Sequence, residues 1–234
     1  VNPEGAISDV NTLLAGVTYS PAPNLSSDFV LGVRVSDGAD AVVFTKVMTG
    51  VAVNDTPTAT NLSAAETYTE DTSLNLTDIV VSDVDNGTVT ATLTLTDPAA
   101  GSLSTATSGA VTSTFNAGTG VWTAAGATAS VNTLLAGVTF TPAPNFNSSF
   151  LILASVSDGA DTIGGNKSIT GVAVNDAPTA TNLSAAESYT EDTARNLIDI
   201  VVSDVDSVVT ATLTLSNPGV GSLSTATSGA TTAT

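Results

Sequence analysis

The chain has 234 residues, 22 of them acidic against four basic, a net charge of -18, and neither cysteine nor histidine. No basic stripe is present to displace phosphate counterions, which argues against nucleic acid and against anionic membrane surfaces as partners. Without cysteine there is no disulfide framework or thiolate site, and without histidine the usual general base and transition-metal ligand are missing.

Strand signals dominate along the chain. Residues 10–16 (VNTLLAG) predict a short helix closed by glycine, and residues 131–137 repeat it. Residues 76–82 are β-rich, and 88–96 (TVTATLTLT) alternate apolar residues with Thr at the period of a half-buried strand. Residues 111–115 and 121–125 flank the turn 116–120 as a hairpin. Further β-rich runs lie at 150–157 and 168–174, and 208–216 copies the run at 88–96. Gly, Pro, Asn and Asp separate these runs. With 42% hydrophobic residues a packed core is expected despite the charge. The pattern predicts an all-β fold, a sandwich of seven or more antiparallel strands.

The sequence also repeats. Residues 55–85 match 176–206 at 26 of 31 positions, an offset of 121, and the same offset maps 10–54 onto 131–175. So long a period means an array of whole domains rather than a solenoid of small units. Residues 1–54 read as the C-terminal half of one repeat, 55–174 as a complete repeat, and 175–234 as the N-terminal half of a third. The joints are Asn54-Asp55-Thr56-Pro57 and Asn175-Asp176-Ala177-Pro178. Proline removes a backbone donor and fixes φ, which suits a short, stiff connection.

Fourteen of the 22 acidic residues fall in four recurring motifs. They are the joint Asn-Asp (Asp55, Asp176), Glu-Asp-Thr (Glu70, Asp71, Glu191, Asp192), Ser-Asp-Val-Asp (Asp83, Asp85, Asp204, Asp206) and Ser-Asp-Gly-Ala-Asp (Asp37, Asp40, Asp158, Asp161). The first strand of a repeat leaves the joint, so Glu-Asp-Thr lies at the far end. The second strand returns Ser-Asp-Val-Asp to the joint, and the Ser-Asp-Gly turn before the last strand sits there too. The first joint is expected to gather Asn54, Asp55, Asp83, Asp85 and Asp158. The second is expected to gather Glu70, Asp71, Asn175, Asp176, Asp204 and Asp206.

Carboxylates are the only abundant ligands, and hard oxygen donors favour calcium or magnesium; calcium takes about 6–8 oxygens. Two bare carboxylates about 5 Å apart repel by roughly 3 kcal/mol at an effective dielectric near 20, and a divalent ion reverses that sign. The plainer reading is that these Asp residues form turns. For Ser-Asp-Gly both readings stand. For Ser-Asp-Val-Asp the spacing sends two carboxylates to one side of an extended loop, which favours the metal. In Glu-Asp-Thr, Glu70 is the better ligand candidate than Asp71.

The Asn-Asp-Xaa-Pro joints, Glu-Asp-Thr, Asp-Val-Asp and Val-Ser-Asp-Gly together resemble the cadherin-like repeats of giant secreted bacterial adhesins and biofilm proteins. The resemblance covers the whole chain and implies tandem Ig/cadherin-like sandwiches of about 121 residues. It also implies calcium ligation by Glu70, by Asp83 and Asp85, and by Asn54 and Asp55, with their counterparts one repeat on. The joint lacks the fuller acidic-Asn-Asp-Asn string of cadherins.

No apolar run approaches the roughly 20 residues of a membrane span, and no signal peptide is visible. The acidic residues recur at domain ends and Ser and Thr lack a partner base, so the expectation is not an enzyme. The sequence predicts a structural extender of an extracellular bacterial surface protein or matrix fibre, its joints rigidified by calcium. The alternative is a protein- or glycan-binding module meeting a cell-surface or matrix ligand. A further expectation concerns self-association. The half-repeats meet around one hairpin near Val1 and Thr234, and the expectation is that successive copies complete one another head to tail, as a non-covalent fibre or as a continuous array. The plainer reading is an arbitrary fragment or a chain nicked at an exposed hairpin tip.

Overall fold

The computed structural model describes residues 3–225, 227–228 and 231–232, which fall into two compact units, Val1–Ala173 and Val174–Thr234. The expected meeting point near Val1 and Thr234 lies outside the described residues. The first unit begins with α1 (Ile7–Ala15), β1 (Phe29–Ser36), β2 (Ala41–Met48), β3 (Thr58–Ala59), β4 (Glu66–Thr69), β5 (Leu74–Asn75) and β6 (Val81–Ser82). It continues through β7 (Thr88–Leu95), β8 (Gly101–Leu103), β9 (Thr107–Ser108), β10 (Val111–Thr112), β11 (Thr114–Asn116) and β12 (Val121–Ala127). Then follow α2 (Thr128–Ala136), β13 (Thr139–Pro142), β14 (Phe150–Ser157) and β15 (Thr162–Val172). The fold is all-β apart from two short helices.

Strand β7 alternates as its sequence demands, turning Val89, Ala91, Leu93 and Leu95 inward. Strand β14 does the same with Phe150, Ile152, Ala154 and Val156. These strands are neighbours in a six-stranded sheet of order β11-β12-β7-β14-β15-β4. A three-stranded sheet, β5-β13-β8, contributes Leu103 and Phe140 to the same buried cluster, and α2 adds Val131, Leu134 and Leu135. Trp122 is fully buried, its indole N–H donating to the Ser104 carbonyl at 2.9 Å. Full burial of each such Val, Leu, Ile or Phe side chain stabilises the fold by about 1.5–3 kcal/mol.

Two features join the earlier and later parts of this repeat. Lys167 on β15 is wholly buried, its Nζ 2.8 Å from Glu66 Oε1 and 3.1 Å from the Asn61 carbonyl. The Thr77 amide donates to the other Glu66 oxygen at 2.9 Å, so the buried carboxylate is held from two sides. Tyr68 is buried beside Phe140, and its hydroxyl lies 2.8 Å from the Ser148 carbonyl and 3.1 Å from that of Phe146.

The sandwich is not wholly antiparallel: β4 pairs parallel to β15, Glu66 to Ile169 through Thr69 to Val172. A parallel pair needs a long crossover, and the intervening body of the repeat supplies it. Strands β1 and β2 pair only with each other among the described residues, from Phe29–Met48 to Ser36–Ala41.

In the second unit β16 (Thr179–Ala180) pairs with β17 (Val202–Ser203), and β18 (Thr227–Ser228) with β19 (Thr231–Thr232). The β16–β17 pair copies β3–β6 residue for residue, since Thr58 faces Ser82 and Thr179 faces Ser203. The strand expected at 208–216 does not form. Its counterpart β7 is held between β12 and β14, and among the described residues of this unit no such neighbours flank it. Glu187 accepts from the Ile198 amide and pairs with Arg195 at 2.9 Å; the amide first and the guanidinium second hold its carboxyl below the usual range.

Candidate metal centre at the joint loops

The joint residue Asn54 is the hub of the first unit's acidic loops. Its side-chain nitrogen lies 2.9 Å from Asp158 Oδ2, 3.0 Å from Asp161 Oδ2 and 3.3 Å from the Asp55 carbonyl. A primary amide has two N–H donors, so three acceptors compete for them. Asn54 Oδ1 accepts from the Asn86 side-chain Nδ2 at 2.9 Å, and the Asp55 backbone N–H donates to Asp85 Oδ2 at 2.6 Å. Asn54, Asp55, Asp85 and Asp158 are thus linked directly. Asp83 joins them through the loop it shapes.

The carboxylates divide their two oxygens between two jobs. Asp83 Oδ1 accepts the Asp85 and Asn86 amides at 2.9 and 2.7 Å, closing the loop as an Asx turn. Asp83 Oδ2 is buried and accepts nothing. Asp158 behaves alike: Oδ1 takes the Ala160 and Asp161 amides, while Oδ2 faces Asn54. Those contacts, the Asp161 amide first and the Asn54 side chain next, hold the Asp158 carboxyl below its ordinary 3.8. The turn-forming and ligand-offering readings of these residues therefore apply to different atoms of one side chain. Among the described residues of this unit, no three acidic groups bring one oxygen each within 4.8 Å of one another. Asn54 Nδ2 lies within hydrogen-bond distance of both the Asp158 and the Asp161 carboxylate.

Glu70 and Asp71, which were not expected at the first joint, lie at the other end of β15 from these loops. The Glu70 amide bonds the Val172 carbonyl at one end of the eleven-residue β15, whereas Asp158 and Asp161 precede its other end. Glu70 is buried, with Asn147 Nδ2 at 3.4 and 3.5 Å from its carboxylate oxygens. Burial, and then the negative Glu70, push the Tyr68 hydroxyl pKa up. Asp71 takes φ 56°, the left-handed region that Asp tolerates, and accepts the Asn145 amide at 3.1 Å. It is a turn residue.

The second unit rebuilds the loop by itself. The Asp176 amide donates to Asp206 Oδ2 at 2.7 Å, and Asp204 Oδ1 takes the Asp206 and Ser207 amides at 2.9 and 2.6 Å. Asn175 Nδ2 bonds the Asp176 carbonyl at 2.8 Å, and Ser207 Oγ donates to Asn175 Oδ1. Asp176 and Asp206 each bring a carboxylate oxygen within 4.8 Å of the other. Oxygens at that spacing can share one calcium, whose bonds run about 2.3–2.6 Å. These loops thus offer oxygens that could hold a metal ion.

Two participants were not among the expected ligands. Asp161 reaches Asn54 from the end of Ser-Asp-Gly-Ala-Asp, and its recurrence as Asp40 was the available signal. Asn86 bonds the joint asparagine directly, as Ser207 does one repeat on. The signal there was a polar donor just after Asp-Xaa-Asp in both copies. The chain matches no protein-family model and no curated protein. Among the described residues no helix is long and apolar enough to cross a membrane.

Proposed function

We propose that the chain is an extender segment of an extracellular bacterial adhesin or matrix fibre, built from cadherin-like sandwich repeats whose joints take up calcium. The observation that carries this reading is Asp83 Oδ2, a buried carboxylate oxygen with no hydrogen bond, in the loop that meets the joint. A buried oxygen of that kind is satisfied by a bound cation or an ordered water. The joint and its loops offer carboxylate, amide and backbone oxygens, the set calcium prefers. In the first unit Asp83, Asp85, Asp158 and Asp161 would hold the ion, with the Asn54 amide turned to present its oxygen. In the second, Asp176, Asp204 and Asp206 would do so. Neutralising the cluster removes repulsion between carboxylates and fixes the angle at which one repeat follows the next. Repetition of the same loop in successive copies supports a role exercised once per domain.

The test is thermal unfolding with calcium, magnesium or chelator. Calcium at about a hundred times its dissociation constant should stabilise by about 2.7 kcal/mol. Magnesium should do less, because it resists an irregular all-oxygen cage. Replacing Asp83 and Asp85 by Ala should remove most of the response from the first joint. An isothermal titration without heat, together with an unchanged melting curve, sinks the calcium reading.

A further inference from the structure

In the complete repeat, strands from its earlier and later parts make one core. Leu93 on β7 lies opposite Ala154 on β14, both buried. Residues 10–54 carry the later part a second time, and 176–225 carry the earlier part a second time. In those copies the same positions are uncovered. Leu31 is 49% exposed where Ile152 is 0%, and Leu213 is 49% exposed where Leu93 is 2%. Tyr189 is 82% exposed where Tyr68 is 2%. Each face lacks what the other supplies.

Charge points the same way. Lys46 on β2 stands where Lys167 stands on β15, but it is exposed. Glu187 stands where Glu66 does, and its carboxylate holds Arg195 instead of a lysine. The chain has only four basic residues, and one of them recurs at the position whose copy makes the buried pair.

We propose that these two faces are one interface and that its occupant is a second copy of this chain. Residues 10–54 of one copy close on residues 176–225 of the next, with Lys46 meeting Glu187 as Lys167 meets Glu66. The inference rests on the reading of the chain as tandem repeats and is independent of calcium. Strand register follows from the complete repeat: Ser157 faces Thr90, so Ser36 faces Thr210 of the neighbouring copy. A contact between two different faces does not close on itself, so copies add end to end. In a longer tandem array the same faces meet within one chain.

The experiment uses the full 234-residue chain in chelator, which separates it from the calcium test. The protein has no cysteine, so Ser36→Cys and Thr210→Cys each introduce a single reporter on a small polar side chain. Mixed under oxidising conditions, the two variants should form a disulfide heterodimer of about twice the 23.0 kDa monomer. Lys46→Glu should weaken self-association, read by sedimentation, by about 30-fold or more, and so should Glu187→Lys. The chain carrying both changes should recover it. Trp122, the single tryptophan, reports through its fluorescence that the complete repeat stays folded in every variant. A chain that stays monomeric at all concentrations overturns the proposal. So does a mixture that yields only Ser36→Cys homodimers, or a charge swap that fails to restore association.

Discussion

Residues 55–85 and 176–206 are nearly the same sequence in two settings, and they keep different amounts of the same structure. The short-range features appear in both. Asn61 and Asn182 take φ 58° and 59°, and their amides bond the Asp78 and Asp199 carbonyls at 2.8 and 2.7 Å. Glu66 and Glu187 accept the amide eleven residues on at 2.9 Å in each case. The Asp-Xaa-Asp turn closes identically. Among the described residues, what the second copy lacks is what the later part of the repeat supplies: the burial of its tyrosine, the lysine for its glutamate and, just beyond the matched span, the ladder of β7. Local hydrogen bonding follows from the local sequence. Sheet and core need contacts from far along the chain.

The sharpest way to break that contrast is at the lysines. Lys167→Met leaves the buried Glu66 without its cation and should cost about 3–5 kcal/mol in denaturant unfolding. Lys46→Met, at the equivalent exposed position, should change the stability of the dilute chain by less than about 0.5 kcal/mol. Equal losses would mean the two settings are alike after all. A smaller effect is expected at the tyrosines. Tyr68→Phe removes a part-buried hydroxyl that lies within hydrogen-bond distance of the Phe146 and Ser148 carbonyls and should cost about 1 kcal/mol, whereas Tyr189→Phe should cost nothing measurable.

The smallest effect concerns Asp158 and its earlier copy Asp37. Hydrogen bonds from the turn lower both carboxyl pKa values, but only Asp158 also receives the Asn54 amide. Asn54→Ala should therefore raise the Asp158 pKa toward its ordinary 3.8 and leave Asp37 unmoved, read by NMR titration. Because the folded value is depressed, this group stabilises the fold above its unfolded pKa. That contribution fades as pH falls below 3.8 through the folded value. A matching shift at Asp37 would break the link to Asn54.

Much of the architecture was legible from alternation alone. Strand β7 occupies all but the last residue of the expected run, and β14 the whole of its own. The helix begins three residues earlier than the VNTLLA run, at Thr128. The parallel pairing of β4 was not legible, because nothing in Glu66–Thr69 specifies which strand it will border. Lys167 gave no sign of burial, since a lysine between Asn166 and Ser168 reads as a solvated edge. The joint's composition was visible, yet not the division of labour within Asp83 and Asp158. Which oxygen closes the turn is a three-dimensional property. The run at 208–216 carries the same alternation as β7 and forms no strand, so periodicity states a capacity that only neighbours realise.

The parallel border between β4 and β15 has a mechanical consequence. These strands lie near the start and the end of the complete repeat, side by side and pointing the same way. Tension entering before β4 and leaving after β15 pulls the two strands in opposite directions along their shared length. The load then falls in shear, on the ladder from Glu66–Ile169 to Thr69–Val172 together, instead of opening it one rung at a time. The Lys167–Glu66 pair bridges the same two strands and must slide with them. Under tension applied at its two ends, the complete repeat is thereby loaded in shear along this ladder.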